Sequence, residues 1–211
     1  MKLLVVAADR MELAHFNQAD ARLELVAAGV GVKCAREAAE AGVESFRPDA
    51  LVSTGFCGAL APELAVADIV VATEVIAGET RYPARPAQSA RSHHKGVVLT
   101  HDRVVQTVEE RRTLRARGAM AVEMEAAAVA ECARAHNLPF YCVRTVTDLA
   151  GETMANDYNE ALREDGHFDT IVLLAGTLHH PFARIPELLR LKRRCARAAR
   201  ALGAFFADCR F

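Results

Sequence analysis

No apolar run in this chain approaches the roughly 18 to 20 residues that a membrane-spanning helix requires. The opening Met1-Lys2-Leu3-Leu4-Val5-Val6-Ala7-Ala8 has the look of a signal peptide. Asp9-Arg10-Met11-Glu12 cuts it short, so it reads as a buried first strand. An excess of one charge is also missing. The 26 Lys and Arg against 27 Asp and Glu leave a formal net charge of -1, which gives no electrostatic footprint for a nucleic-acid partner. The six cysteines (Cys34, Cys57, Cys132, Cys142, Cys195 and Cys209) form no CxxC pair. Most lie in apolar contexts and read as small hydrophobes in a reducing, cytoplasmic setting rather than as a disulfide framework. There is no GxSxG elbow. His93-His94 and His179-His180 lack helical spacing and a nearby Cys, so no metal site is expected and both pairs read as solvated loop residues.

What is present is enough apolar residue, 52% of 211, for one domain over residues 1–211 with a substantial core. Short apolar runs at 3–7, 23–27, 50–54, 68–75, 96–100, 121–123 and 140–145 read as strands. Several are nearly continuous in Val, Leu and Ile, the pattern of strands covered on both faces. Between them, 32–44, 104–118, 125–135 and the tail read as helices. This alternation predicts a three-layer α/β/α domain around a central mixed sheet. A ligand would then sit at the carboxyl ends of the strands, where 9–12, 29–31, 55–58, 100–105 and 144–148 would gather. The polar stretch 78–95 has no periodicity and reads as a loop, either a pocket cover or plain surface.

Charge placement points to chemistry. Glu123 and Glu125 sit where an apolar strand gives way to an Ala-rich helix, and Arg144 and Asp148 end the next strand. Burying such groups costs several kcal/mol, roughly, unless they are paired or used. One of the two glutamates can face a ligand while the other caps the helix; both can equally be ordinary helix-start acids. Asp148 reads as a functional acid, as a helix cap, or as half of a structural pair with Arg144. Gly29-Val30-Gly31 follows a strand and opens a helix, as an anion site or as a tight turn, and lacks the third glycine of a dinucleotide fingerprint. Ser53-Thr54-Gly55-Phe56-Cys57-Gly58 is a second small-residue turn with the same two readings.

Three blocks, VEMEAAAVAECARAHNLPFYCVRTVTDLA, VSTGFCGALAPELAVADIVVAT and GVGVKCA, resemble the superfamily of purine nucleoside phosphorylases and methylthioadenosine/S-adenosylhomocysteine nucleosidases. The resemblance runs from Lys2 to about Asp148. It implies cleavage of a purine N-glycosidic bond without metal or organic cofactor, with inorganic phosphate as co-substrate if the reaction is a phosphorolysis. By that resemblance Asp148 protonates purine N7, Glu125 binds the ribose hydroxyls and Met124 packs on the sugar. Glu12 orients the attacking water, Arg144 lies near the anion or water site, and Val104 and Val105 contact the base. Glu123, Gly55, Phe56 and Cys57 fall in the matching substrate-binding blocks. Gly31 matches the first small-residue loop, and Arg10 is the cation available to an anion there. The superfamily is usually homo-oligomeric.

Three features depart from the pattern. Phe56 stands where the nucleosidases carry a Ser that holds water or phosphate. Ser53 stands where hexameric phosphorylases carry a phosphate-binding Arg. The chain is short before the first glycine loop and before Gly96. The tail LREDGHFDTIVLLAGTLHHPFARIPELLRLKRRCARAARALGAF resembles the hopanoid-associated phosphorylase branch, which implies a 5′-substituted adenosine such as adenosylhopane as substrate. Within it, about 184–206 reads as an amphipathic helix with Leu188, Leu191, Cys195, Ala199, Leu202 and Phe206 along one stripe and arginines elsewhere. That helix either packs on the domain or makes peripheral membrane contact.

Overall fold

The computed structural model describes residues 1–211, except for the side chain of His179. Strand β1 (Leu3–Ala7) is buried along its whole length, between parallel β2 (Leu23–Ala27) and parallel β3 (Ala50–Ala59). Strands β4 (Ile69–Ala77), β5 (Thr80–Pro83), β6 (His94–Thr100), β7 (Ala119–Glu123) and β8 (Phe140–Asp148) complete a mixed sheet. β8 runs parallel to β3 and antiparallel to β4, β4 is parallel to β6, β6 to β7, and β7 turns back antiparallel onto the end of β3. The ladders β3-β8-β4-β6-β7 therefore close into a ring, with β1 and β2 extending it on one side as an open sheet. Closure removes edges that would otherwise expose unpaired backbone. It also brings the ends of β3, β7 and β8 to one place.

Helices α1 (Val32–Phe46) and α3 (Ala126–Ala135) cover one face. α3 is Ala-rich because its residues Ala126 to Ala130, Cys132 and Ala133 are all buried, which leaves room only for small side chains. α2 (Val108–Arg115) starts at a capping box between Thr107 and Glu110 and is shorter than the expected 104–118. Two short helices follow, α4 (Tyr158–Ala161) and α5 (Thr170–His179), and then the long α6 (Pro181–Asp208). The second half of α6 covers the other sheet face, with Leu202 and Phe205 packed against Val5, Val52 and Val143.

The stretch 78–95 is not a pocket cover. β5 pairs with β4, Gln88 bridges Arg210, Ser89 bonds Asp208, and the His93 ring meets Phe205 edge-on at 5.6 Å. It is tied to the end of α6, and none of its residues lines the cleft described below. His94 lies in β6 and reaches Asp68 at 3.2 Å, so this His pair is half-buried rather than solvated.

Candidate active site

A cleft of about 510 Å³ opens at the strand ends, bounded by the loop after β1, the end of β3, the loop after β6, the β7–α3 junction and the end of β8. The expected loops gather there. Glu12 sits on the short turn after β1 and is buried. Its Oε2 accepts from the N–H groups of Ala8 (2.8 Å) and Asp9 (3.0 Å), and its Oε1 accepts from Phe56 N–H at 2.6 Å. Burial raises its pKa against these bonds and against the field of Arg144. Gly55, at φ 131°, is what lets β3 approach: a Cβ there would lie 2.5 Å from Glu12 Oε1. Phe56 thus serves Glu12 through its backbone, where the resemblance emphasised the side chain.

The two glutamates of the β7–α3 junction divide as the geometry of a helix start allows. Glu123 Oε2 accepts from the N–H groups of Glu125 (3.0 Å) and Ala126 (2.8 Å), satisfying donors at the α3 N-terminus. It is also paired with Arg144 and bonded by Thr100. Glu125 turns toward the cleft and accepts from Gly31 N–H at 2.9 Å. Burial, then the charge of Glu123, push its pKa up to about 8, with Arg144 opposing.

Arg144 lies beneath the cleft, not on its wall, and is fully buried. Its Nη atoms donate to Thr54 O (2.9 Å), Ser53 Oγ (2.7 Å) and Glu123, with Glu125 at 3.5 Å. Burial works against its charge, but Glu123 and its neighbours outweigh that and hold the guanidinium firmly protonated. Ser53 therefore points into the floor, away from any ligand. Of the alternatives the sequence left open, the Arg144–Asp148 pair is not made, and Asp148 caps no helix.

Asp148 pairs instead with a residue that the sequence did not single out. Its Oδ2 lies 2.6 Å from Arg111 Nη2, and its Oδ1 accepts from Thr147 Oγ at 2.8 Å. Arg111 is buried and also donates to Val105 O (2.9 Å) and Ala59 O (3.3 Å). Gly58 makes room for the pair, since a Cβ there would lie 2.6 Å from Asp148 Oδ2 and 2.7 Å from Arg111 Nη1.

Met124, Val104, Val105, Phe56 and Cys57 line the cleft. Burial raises the Cys57 thiol pKa, which suits packing and not nucleophilic attack. Gly31 and Arg10 do not assemble an anion site. The Gly31 N–H is spent on Glu125, and Arg10 is exposed and off the cleft wall. The tail supplies walls that sequence reasoning missed: Tyr158, Phe168, Leu173, Leu191 and Cys195. Leu191 and Cys195 belong to the stripe read from the sequence, so part of that stripe faces the cleft. Among the described residues one ligand-type cluster, Glu40, Cys132 and His136, lies off the cleft, and in it His136 Nε2 lies 2.8 Å from Glu40 Oε2, a surface hydrogen bond.

Residues 12–91 and 84–171 match the family model described as the phosphorylase superfamily. The chain is 28% identical over 174 residues to the 5′-methylthioadenosine/S-adenosylhomocysteine nucleosidase of Anoxybacillus flavithermus, covering 68% of this chain and 75% of that one. It is 26% identical over 195 residues to the enzyme of that name from Oceanobacillus iheyensis, covering 79% and 84%. In fold it is similar to the S-adenosylhomocysteine nucleosidase of Streptococcus pyogenes in complex with 5-methylthiotubericidin, with a TM-score of 0.69 at 22% identity over 98% of this chain and 96% of that one. It is similar also to the futalosine hydrolase of Helicobacter pylori, with a TM-score of 0.72 at 14% identity over 99% and 96%.

Proposed function

The chain belongs to the phosphorylase superfamily, and we propose that it hydrolyses the N-glycosidic bond of a 5′-substituted adenosine, releasing adenine. The observation that carries this reading is the meeting of Glu12, Glu125 and Asp148 around one cleft of nucleoside size. Breaking the bond builds positive charge on the sugar and negative charge on the base. Glu125 accepts the ribose hydroxyls and, in its ionised form, stabilises the first. Asp148 takes up a proton from solvent and quenches the second by passing it to N7, with Arg111 beside Oδ2 and Thr147 Oγ donating to Oδ1. Glu12, fixed by three backbone donors, orients a water and takes its proton as the water oxygen bonds to the anomeric carbon. Val104, Val105, Phe56, Cys57 and Met124 pack on base and sugar; Glu123 and Arg144 hold Glu125 in place from below. No metal or organic cofactor is assigned a step.

The relatives named above act on methylthioadenosine or S-adenosylhomocysteine by their names, and these are the first substrates to test, with adenosylhopane as the lipid member of the same class. Homo-oligomerisation, a cytoplasmic setting and peripheral membrane contact belong to the same reading. A phosphorolytic reaction, a futalosine-type substrate and a non-catalytic nucleoside-binding module are the competing readings. Adenine release from the candidate nucleosides tests them together. Asp148→Asn is expected to lower kcat by about 10²- to 10⁴-fold, and Glu125→Gln to lower kcat/KM at least about tenfold. Activity untouched by both substitutions, or no release by the wild type, overturns the assignment.

A further inference from the structure

One surface of the molecule is apolar and uncovered. α5 exposes Ile171 (77%), Leu174 (55%) and Leu178 (74%), spaced to share one side of the helix. After the turn at His180, α6 continues with exposed Phe182 (96%), Ile185 and Leu189. Beyond Leu189 the same side of α6 carries Arg193, Arg197 and Arg200, all exposed and in no salt bridge among the described residues. This ridge is not the stripe read from the sequence, whose Ala199, Leu202 and Phe206 face inward. Single exposed leucines need no explanation, but six large apolar side chains in a row, followed by three free arginines, do.

We propose that this face docks on an anionic lipid surface, the apolar ridge entering the headgroup boundary and the arginine row lying on lipid phosphates. Charge complementarity favours lipid over a second copy of the chain. The acids of α6 are already committed, Glu187 to Ala155 and Asn156 and Asp208 to Ser89 and Ala90. Self-pairing of this face would therefore offer its arginines no carboxylate. Among the described residues no helix is long and apolar enough to cross a membrane, and the proposed contact is peripheral. Leu173 of α5 and Leu191 of α6 lie on the cleft wall, as does Phe168 just before α5. A lipid-borne nucleoside would thus meet the cleft with its apolar 5′ group still directed to the bilayer. That last step rests on the nucleoside reading of the cleft; the docking itself does not.

Vesicle flotation of the full chain tests it, with phosphatidylcholine vesicles alone and with vesicles containing phosphatidylglycerol. The wild type is expected to float with the anionic vesicles, and less so at high salt. Leu178→Glu/Phe182→Glu and Arg193→Glu/Arg197→Glu, which lie off the cleft, are each expected to lower the bound fraction about tenfold while leaving adenine release from a soluble nucleoside unchanged. A wild type that stays at the bottom with both vesicle types overturns the proposal. So does a dimer in light scattering that Leu178→Glu/Phe182→Glu dissociates, because a second copy then covers the ridge. Flotation without any nucleoside cleavage would leave the docking standing and remove the enzymatic reading alone.

Discussion

Glu125 is the residue whose surroundings dictate a measurable behaviour. Burial and the neighbouring Glu123 raise its pKa to about 8, while the unfolded chain titrates it near 4.5. The folded state therefore binds the proton more tightly. The stability this contributes is fully present below pH 4.5 and is lost as pH rises through about 8. Glu125→Gln removes that titration. In urea denaturation the variant is expected to gain on the wild type between pH 5 and 8, by up to roughly 1.4 kcal/mol per pH unit; parallel curves would show that Glu125 is not titrating there. The acids themselves were legible in the sequence, because charges at the mouths of apolar strands need a reason to be there. Arg111 was not. In the run Glu109-Glu110-Arg111-Arg112 it looks like one more charge on a solvated helix face, and only the fold shows its guanidinium turned inward to Asp148. Nor could spacing tell that Arg144 would choose Glu123 over Asp148, since that depends on strand register.

At the scale of elements, β3 does more than carry apolar residues through the core. Its carboxyl end brings backbone against two carboxylates, at Gly55 and at Gly58, and the missing Cβ atoms are what let Glu12 and Asp148 come so close. Gly55→Ala places a side chain on Glu12 at a φ that alanine resists. It is expected to cost more than about 1 kcal/mol of stability and to depress kcat at least about tenfold by loosening Glu12. Thermal melts and adenine-release kinetics read the two effects, and a variant with native melting and native kcat would refute the close approach. Most strands were visible as apolar runs, since buried strands need little beyond Val, Leu, Ile and Ala. β5 was not, because Thr80–Pro83 is a short polar strand whose order comes from pairing with β4. The tail was legible as amphipathic but not in its division of labour. Its inward stripe is shared between core and cleft wall, and α5 has an apolar side exposed to solvent where a packed helix would bury one.

For the whole molecule, the alternation of apolar runs and Ala-rich helices was enough for a three-layer α/β/α fold, while ring closure through β8 depends on long-range pairing that no local pattern encodes. That closure concentrates charge. Glu12, Glu123, Glu125 and Asp148 surround the cleft, and Arg111 and Arg144 are the guanidiniums paired to them, which makes four carboxyls against two cations, while Asp9 and Arg103 on the wall offset one another. In the state that reacts, with Asp148 protonated and Glu125 ionised, three carboxylates still face the two guanidiniums. Such a field favours a sugar that becomes cationic on the way to the transition state and disfavours entry of a phosphate anion. The Arg144 Nη atoms are spent on Thr54, Ser53 and Glu123, and the Gly31 N–H on Glu125, so neither is free for a phosphate. Water fits instead, beside a buried Glu12 whose raised pKa brings its carboxylate nearer to the basicity a proton acceptor needs at neutral pH. Adenine release is therefore expected at the same rate with and without inorganic phosphate, and the sugar product is expected to carry a free anomeric hydroxyl. Accumulation of a ribose 1-phosphate derivative, with release that saturates in phosphate, would mean that the anion finds donors this arrangement does not offer.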